Sequence, residues 1–101
     1  MMDELYAKFL PQFVALAHTR LTLAISTAGL RDDAATIKTV RELHTLAGEA
    51  GLLGLRDIVP LARDCEQKAK QLQTSRAEAD VETLVVALRQ LARVIEEVSK
   101  A

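Results

Sequence analysis

The most restrictive feature of this chain is a spacing. Leu55, Ile58, Ala62, Cys65, Ala69 and Leu72 alternate three and four residues apart, with charged residues between them. An α-helix turns about 100° per residue, so this spacing gathers the six side chains into one stripe. A strand would send every second residue to the opposite face. The same rhythm recurs in Val14, Ala17, Leu21, Ala24 or Ile25, and Ala28; in Ile37, Val40, Leu43, Leu46, Ala47 and Ala50; and in Val81, Leu84, Leu88, Leu91, Ile95 and Val98. No sustained two-residue alternation between turn residues competes with it. Helices with one apolar stripe bury it against each other, and short connections make neighbours antiparallel. The pattern predicts an all-α fold, an antiparallel up-down-up-down four-helix bundle.

Punctuation residues divide the stripes. Met2 to about Leu10 reads as a short additional N-terminal helix, with Leu5 and Phe9 one turn apart. Pro11 then opens the next helix, where its missing N–H is harmless. Gly29 is expected to cap that helix at its C-terminus. Asp32 or Asp33 can accept the free amides of the following helix, which runs to about Leu53 with Gly54 just past its end. Asp57 is placed to cap the next one, whose first turn tolerates Pro60. A loop around Thr74 and Ser75 precedes the last helix.

At 101 residues the chain fits a single domain, residues 1–101. Half of it is apolar but only 3% aromatic, so Leu, Val, Ile and Ala must fill the interior, which suits close helix packing. Thirteen basic against fourteen acidic residues leave a net charge of −1, with no general field to draw nucleic acid or anionic lipid. The basic residues are scattered among acids without stacking aromatics, which argues against a nucleic-acid site. Cys65 stands alone, which excludes an internal disulfide or cysteine-based zinc site and fits a small buried thiol in a reducing compartment. No apolar run approaches the roughly 20 residues of a membrane span, and the acids in MMDELYAKF come too early for a signal peptide. A cytoplasmic protein is expected.

Several chemistries lack their residues. No glycine-rich nucleotide loop is present, and no serine or cysteine nucleophile motif. Di-iron bundles need Glu three residues before His; Ala15 precedes His18 and Arg41 precedes His44 at that distance. His18 has no motif around it and is expected on the surface or at the margin of its helix's packed face.

His44 is different. It opens the run HTLAGEAGLLG, with glycines at 48, 51 and 54, although each glycine inside a helix costs about 1 kcal/mol relative to alanine. On the helical wheel His44 lies about 80° from the centre of its helix's apolar arc, and Gly48 and Gly51 fall within about 40° of its azimuth. The imidazole therefore stands beside a strip of bare helix. Such a strip lets a neighbouring helix or an external surface come close, and sharing a face with an ionisable side chain favours the external surface. Gly54 has a plainer role, relieving a left-handed cap conformation. Near pH 7 an imidazole of ordinary pKa, about 6.5, is mostly neutral, and its free nitrogen is a nucleophile.

The stretch RELHTLAGEAGLLGLRDIVPLARDCE resembles the histidine-containing phosphotransfer (HPt) domain, whose motif reads roughly H-x-L-K-G-x-x-x-x-x-G followed by spaced leucines and a glutamate. His44, Leu46, Gly48 and Gly54 fall on motif positions; Ile58 and Leu61 take leucine places, Cys65 another apolar one, and Glu66 the closing acid. The resemblance implies a phosphorelay intermediate, with His44 the phosphoacceptor. It would take a phosphoryl group from a receiver-domain phospho-aspartate or a sensor histidine kinase and pass it to a receiver aspartate. The chain would need no metal or cofactor, because the response-regulator receiver brings Mg²⁺. Gly48, Gly51 and Ala47 would form the receiver-docking surface of a monomer.

One position departs from the family. Its usual lysine three residues after the histidine is Ala47 here, which removes a cation expected to attract phosphoryl oxygens. Arg41, three residues before His44 on the exposed side, is the first candidate to replace it, with Arg63 and Lys70, on the helix expected to pack alongside, behind it. Glu49 points away from His44 and should matter little. Two alternatives belong to other classes: a docking module that binds a receiver or kinase without efficient transfer, and a helical oligomerisation module with Gly48 and Gly51 packed against another helix.

Overall fold

The computed structural model describes residues 2–100; the side chains of Met2, Asp3 and Leu5 lie outside the description, and with them the expected pairing of Leu5 and Phe9. Four helices account for nearly all of it: α1 (Met2–Ala28), α2 (Asp33–Leu52), α3 (Ile58–Ser75) and α4 (Glu78–Lys100). No strand occurs among the described residues. Each helix packs on two others: α2 and α4 each lie against both α1 and α3, and nothing joins the diagonals among the described residues. The molecule measures 45 × 20 × 19 Å, and its long axis is close to the roughly 40 Å of a 27-residue helix at 1.5 Å per residue.

The expected break at Pro11 is absent. Residues 2–28 form one helix with Pro11 inside it, so there is no separate N-terminal helix. Proline withholds one amide from the carbonyl four residues back, here Ala7. Ala7 and Pro11 both face solvent, so water can satisfy that carbonyl, while proline's φ already suits a helix. Beyond it Phe13, Ala17, Leu21, Ala24 and Ala28 are buried in series.

The loops show two further differences. Gly29 does not adopt the left-handed conformation; Arg31 does, at φ 52°, after Leu30 N–H and Arg31 N–H have donated to the carbonyls of Thr27 and Ala28. Asp32 caps α2 as expected, its Oδ2 accepting from Ala35 N–H at 3.1 Å. Asp57, by contrast, makes no capping bond from its side chain. The carbonyl of Leu55 accepts from the amides of Ile58 and Val59 instead, so α3 starts without a side-chain cap.

The end of α2 follows the sequence closely. Gly54 has φ +74°; its N–H donates to Gly51 O and that of Leu55 to Ala50 O, the paired bonds of a Schellman motif. That turn buries Leu55 and aims α3 back along α2.

The stripe of α3 is buried throughout: Leu55, Ile58, Ala62, Cys65, Ala69 and Leu72 all lie in the core. In α4, Leu84, Leu88, Leu91 and Ile95 are buried while Val81 and Val98 pack at its edges. In α2 the arc is rotated slightly from its expected centre, because Ile37 is exposed while Thr36 and Thr39 are buried. Each threonine hydroxyl donates to the carbonyl four residues back, at 2.9 and 3.0 Å, so burying these side chains leaves no polar atom unpaired.

Candidate functional site

His44 sits in the middle of α2, one residue past the buried Leu43 and two before the buried Leu46. These leucines fix the azimuth of the helix, and the intervening position must then point outward. The imidazole is 78% exposed.

Across the α2–α3 seam stands Glu66, on the helix position following buried Cys65. Its Oε2 lies 3.3 Å from His44 Nδ1. Only 12% of the Glu66 side chain meets solvent, so the carboxylate is held by its surroundings while the imidazole is not. A carboxylate facing Nδ1 favours the tautomer with the proton on that nitrogen. The lone pair of Nε2 is then left directed at solvent, as a nucleophile requires.

The same Glu66 oxygen meets Lys70 Nζ, also at 3.3 Å. His44, Glu66 and Lys70 thus form one chain of contacts between two helices. Arg41 and Arg63 are not drawn into it: both are exposed, and no ion pair links either to His44 or Glu66 among the described residues. Arg41 lies one turn before His44, and Arg63 lines a shallow groove with Arg56 and Gln67.

The glycine strip is open. A Cβ built on Gly48 would meet nothing within 4 Å, and one on Gly51 would only touch Val59 Cγ2 at 4.0 Å. Among the described residues nothing stands over Gly48, and α3 reaches the strip only at its edge, through Val59 beside Gly51. Ala47 requires a correction: at 6% exposure it belongs to the core, so it forms no part of a docking surface. Its position, one residue after Leu46, falls within the arc that α2 turns inward. Glu49 points away from His44, as expected, and pairs with Arg20 of α1 at 2.6 Å.

Two features escaped sequence reasoning. Glu66 was recognisable only as a motif position, because a wheel drawn for one helix cannot show a contact with another. The second is an apolar groove of about 400 Å³ between α1 and the end of α2, lined in part by Phe9, Leu16 and Leu52. Leu52 is 86% exposed and lies one turn beyond Gly48. An apolar residue at that polar azimuth was the available signal.

His18 is exposed on α1. Cys65 is buried, and loss of hydration pushes its thiol up to about 12, so it is inert as a nucleophile at neutral pH. No group of three or more potential metal ligands occurs among the described residues, and none of their helices is long and apolar enough to cross a membrane.

Comparison with known proteins adds one finding. Neither the curated proteins nor the solved structures gave a match. A family model described as the Hpt domain, however, matches residues 5–101, nearly the whole chain. With four helices and an exposed histidine beside open glycines, the chain belongs to the Hpt domain family, whose members serve in histidine phosphotransfer.

Proposed function

We propose that this protein is a phosphorelay intermediate that accepts a phosphoryl group on His44 and passes it to an aspartate of a receiver domain. The donor is a receiver phospho-aspartate or a sensor histidine kinase. The observation that carries this reading is the pairing of a freely exposed imidazole with a sheltered carboxylate at its Nδ1. Phosphoryl transfer has a loose transition state, so the acceptor mainly has to place a lone pair in line with the breaking bond. The Nε2 lone pair forms the N–P bond while the bond to the donor breaks: P–O from a receiver phospho-aspartate, the electron pair leaving with the carboxylate, or P–N from a kinase phosphohistidine, the pair leaving with that imidazole. Positive charge developing on the ring falls beside Glu66. Mg²⁺ belongs to the receiver partner.

The bare surface at Gly48 and Gly51 supports approach by the receiver's active-site rim, and Leu52 with the adjoining groove extends that surface with apolar area. An up-down-up-down course of the helices is supported by contacts between the first and third connections: Arg31 Nη1 donates to Arg76 O at 3.2 Å and Arg76 pairs with Asp33. We place the protein in the cytoplasm as a monomer, in keeping with its single unpaired thiol.

Mixing the purified chain with a phosphorylated receiver and Mg²⁺ should move label onto the chain in an acid-labile, alkali-stable form. The His44→Gln variant should take none. Equal labelling of that variant would remove His44 from the mechanism. Burial of Ala47 favours a second reading, a docking module that binds a receiver but transfers slowly, since α2 offers no cation one turn beyond His44. That reading expects receiver binding undiminished in His44→Gln and negligible labelling of the native chain.

A further inference from the structure

We propose that Lys70, on the neighbouring helix, is the cation that holds the phosphoryl oxygens at His44. The inference rests on the phosphotransfer reading above and assigns the part left vacant at position 47.

The geometry is a shared oxygen. His44 Nδ1 and Lys70 Nζ each lie 3.3 Å from Oε2 of Glu66, so the two nitrogens are separated by no more than those contacts laid end to end. Glu66 is nearly covered, whereas Lys70 is 49% exposed on a flexible four-carbon stem. Its ammonium can therefore swing while the carboxylate stays. Ala47 is in the core, and neither Arg41 nor Arg63 pairs with Glu66 among the described residues, which leaves Lys70 as the cation in contact with this cluster.

Charge accounting gives the lysine its purpose. Before transfer the carboxylate of Glu66 is balanced by Lys70. A phosphoryl group brings a charge of about −1.5 to −2 near neutral pH into the neighbourhood of that carboxylate. Like charges so close oppose the product, unless a cation lies between them. As the N–P bond forms and the bond to the donor breaks, no proton has to move. The Nδ1 proton stays toward Glu66, and Lys70 turns to bridge Oε2 and a phosphoryl oxygen.

Phosphoramidate, a small phosphoryl donor that needs no receiver, provides the test: its P–N bond breaks as the imidazole bond forms, and ammonia leaves. In a His18→Gln background, so that one imidazole reacts, the rate of phosphohistidine formation and the ³¹P titration of the product are compared for Lys70, Lys70→Gln and Lys70→Arg. We expect Lys70→Gln to form product at least threefold more slowly and to raise the pH at which the phosphoryl group titrates, with Lys70→Arg close to the parent. A lysine that only neutralised Glu66 would alter the ¹H titration of His44 and leave the ³¹P titration unmoved; that result overturns the proposal, as does a parent chain that takes no phosphoryl group on His44. A receiver added afterwards separates the two claims. If Lys70→Gln has its effect and no receiver accepts the group, the relay reading falls and the role of Lys70 stands.

Discussion

A hydrogen atom in place of a methyl group at position 48 sets stability against function. Nothing lies within 4 Å of where a Cβ would be, so Gly48→Ala carries no steric cost in the isolated protein and removes the entropic penalty of a helical glycine. We expect it to stabilise the fold by about 0.5–1 kcal/mol, a rise of several degrees in the thermal midpoint, while slowing transfer from a phosphorylated receiver. A variant less stable than the parent would show that the strip is packed, not open. His44 and Gly48 were legible from sequence because both lie on one helix, where azimuth follows from counting. Ala47, between them, was counted both in the apolar arc and in the docking surface, and only the first holds: one residue is about 100° of rotation, enough to pass from the core to the exposed face at Gly48. Glu66 and Lys70 meet His44 from another helix, and no count within α2 reaches them.

Among elements, the junction of α2 and α3 decides where the two halves of the site meet. Gly54 holds φ +74° and its Schellman bonds return the chain so that Glu66 faces His44. Gly54→Ala retains those bonds but places a Cβ in a left-handed conformation that costs about 1–2 kcal/mol. Urea denaturation should show a lower midpoint with an unchanged slope; an unchanged midpoint would mean that this turn is not strained by a side chain. The glycine at 29 looked equivalent in sequence and is not, since α1 ends in a turn that passes the left-handed residue on to Arg31. Local composition marks a helix end well, but which residue takes the unusual conformation depends on where the next helix must dock. Pro11 makes the same point in reverse, since a helix breaker is tolerated where the carbonyl it orphans faces water.

For the molecule as a whole, Cys65 reports on the integrity of the bundle. It is buried in the core, and its thiol is pushed up to about 12 chiefly by loss of hydration, with Asp64 adding to the rise. Its contribution to stability is complete below the unfolded value of 9.0. It declines as pH rises from there toward 12, because only the unfolded chain releases the proton. Cys65→Ala should flatten that alkaline loss in chemical denaturation, and in the native protein a thiol reagent should react only at the rate of opening of the bundle. Rapid labelling of the folded protein at neutral pH would contradict a closed core. The sequence by itself determined four amphipathic helices, the buried stripe of α3 and the exposure of His44, because periodicity is a property of each helix alone. Only the tertiary structure decided that α1 runs unbroken through Pro11, that the arc of α2 takes in Thr36 and Thr39 and leaves Ile37 exposed, and that Glu66 and Lys70 gather at the imidazole. Those outcomes depend on how helices are set against each other, and packing acts between residues that the chain keeps far apart.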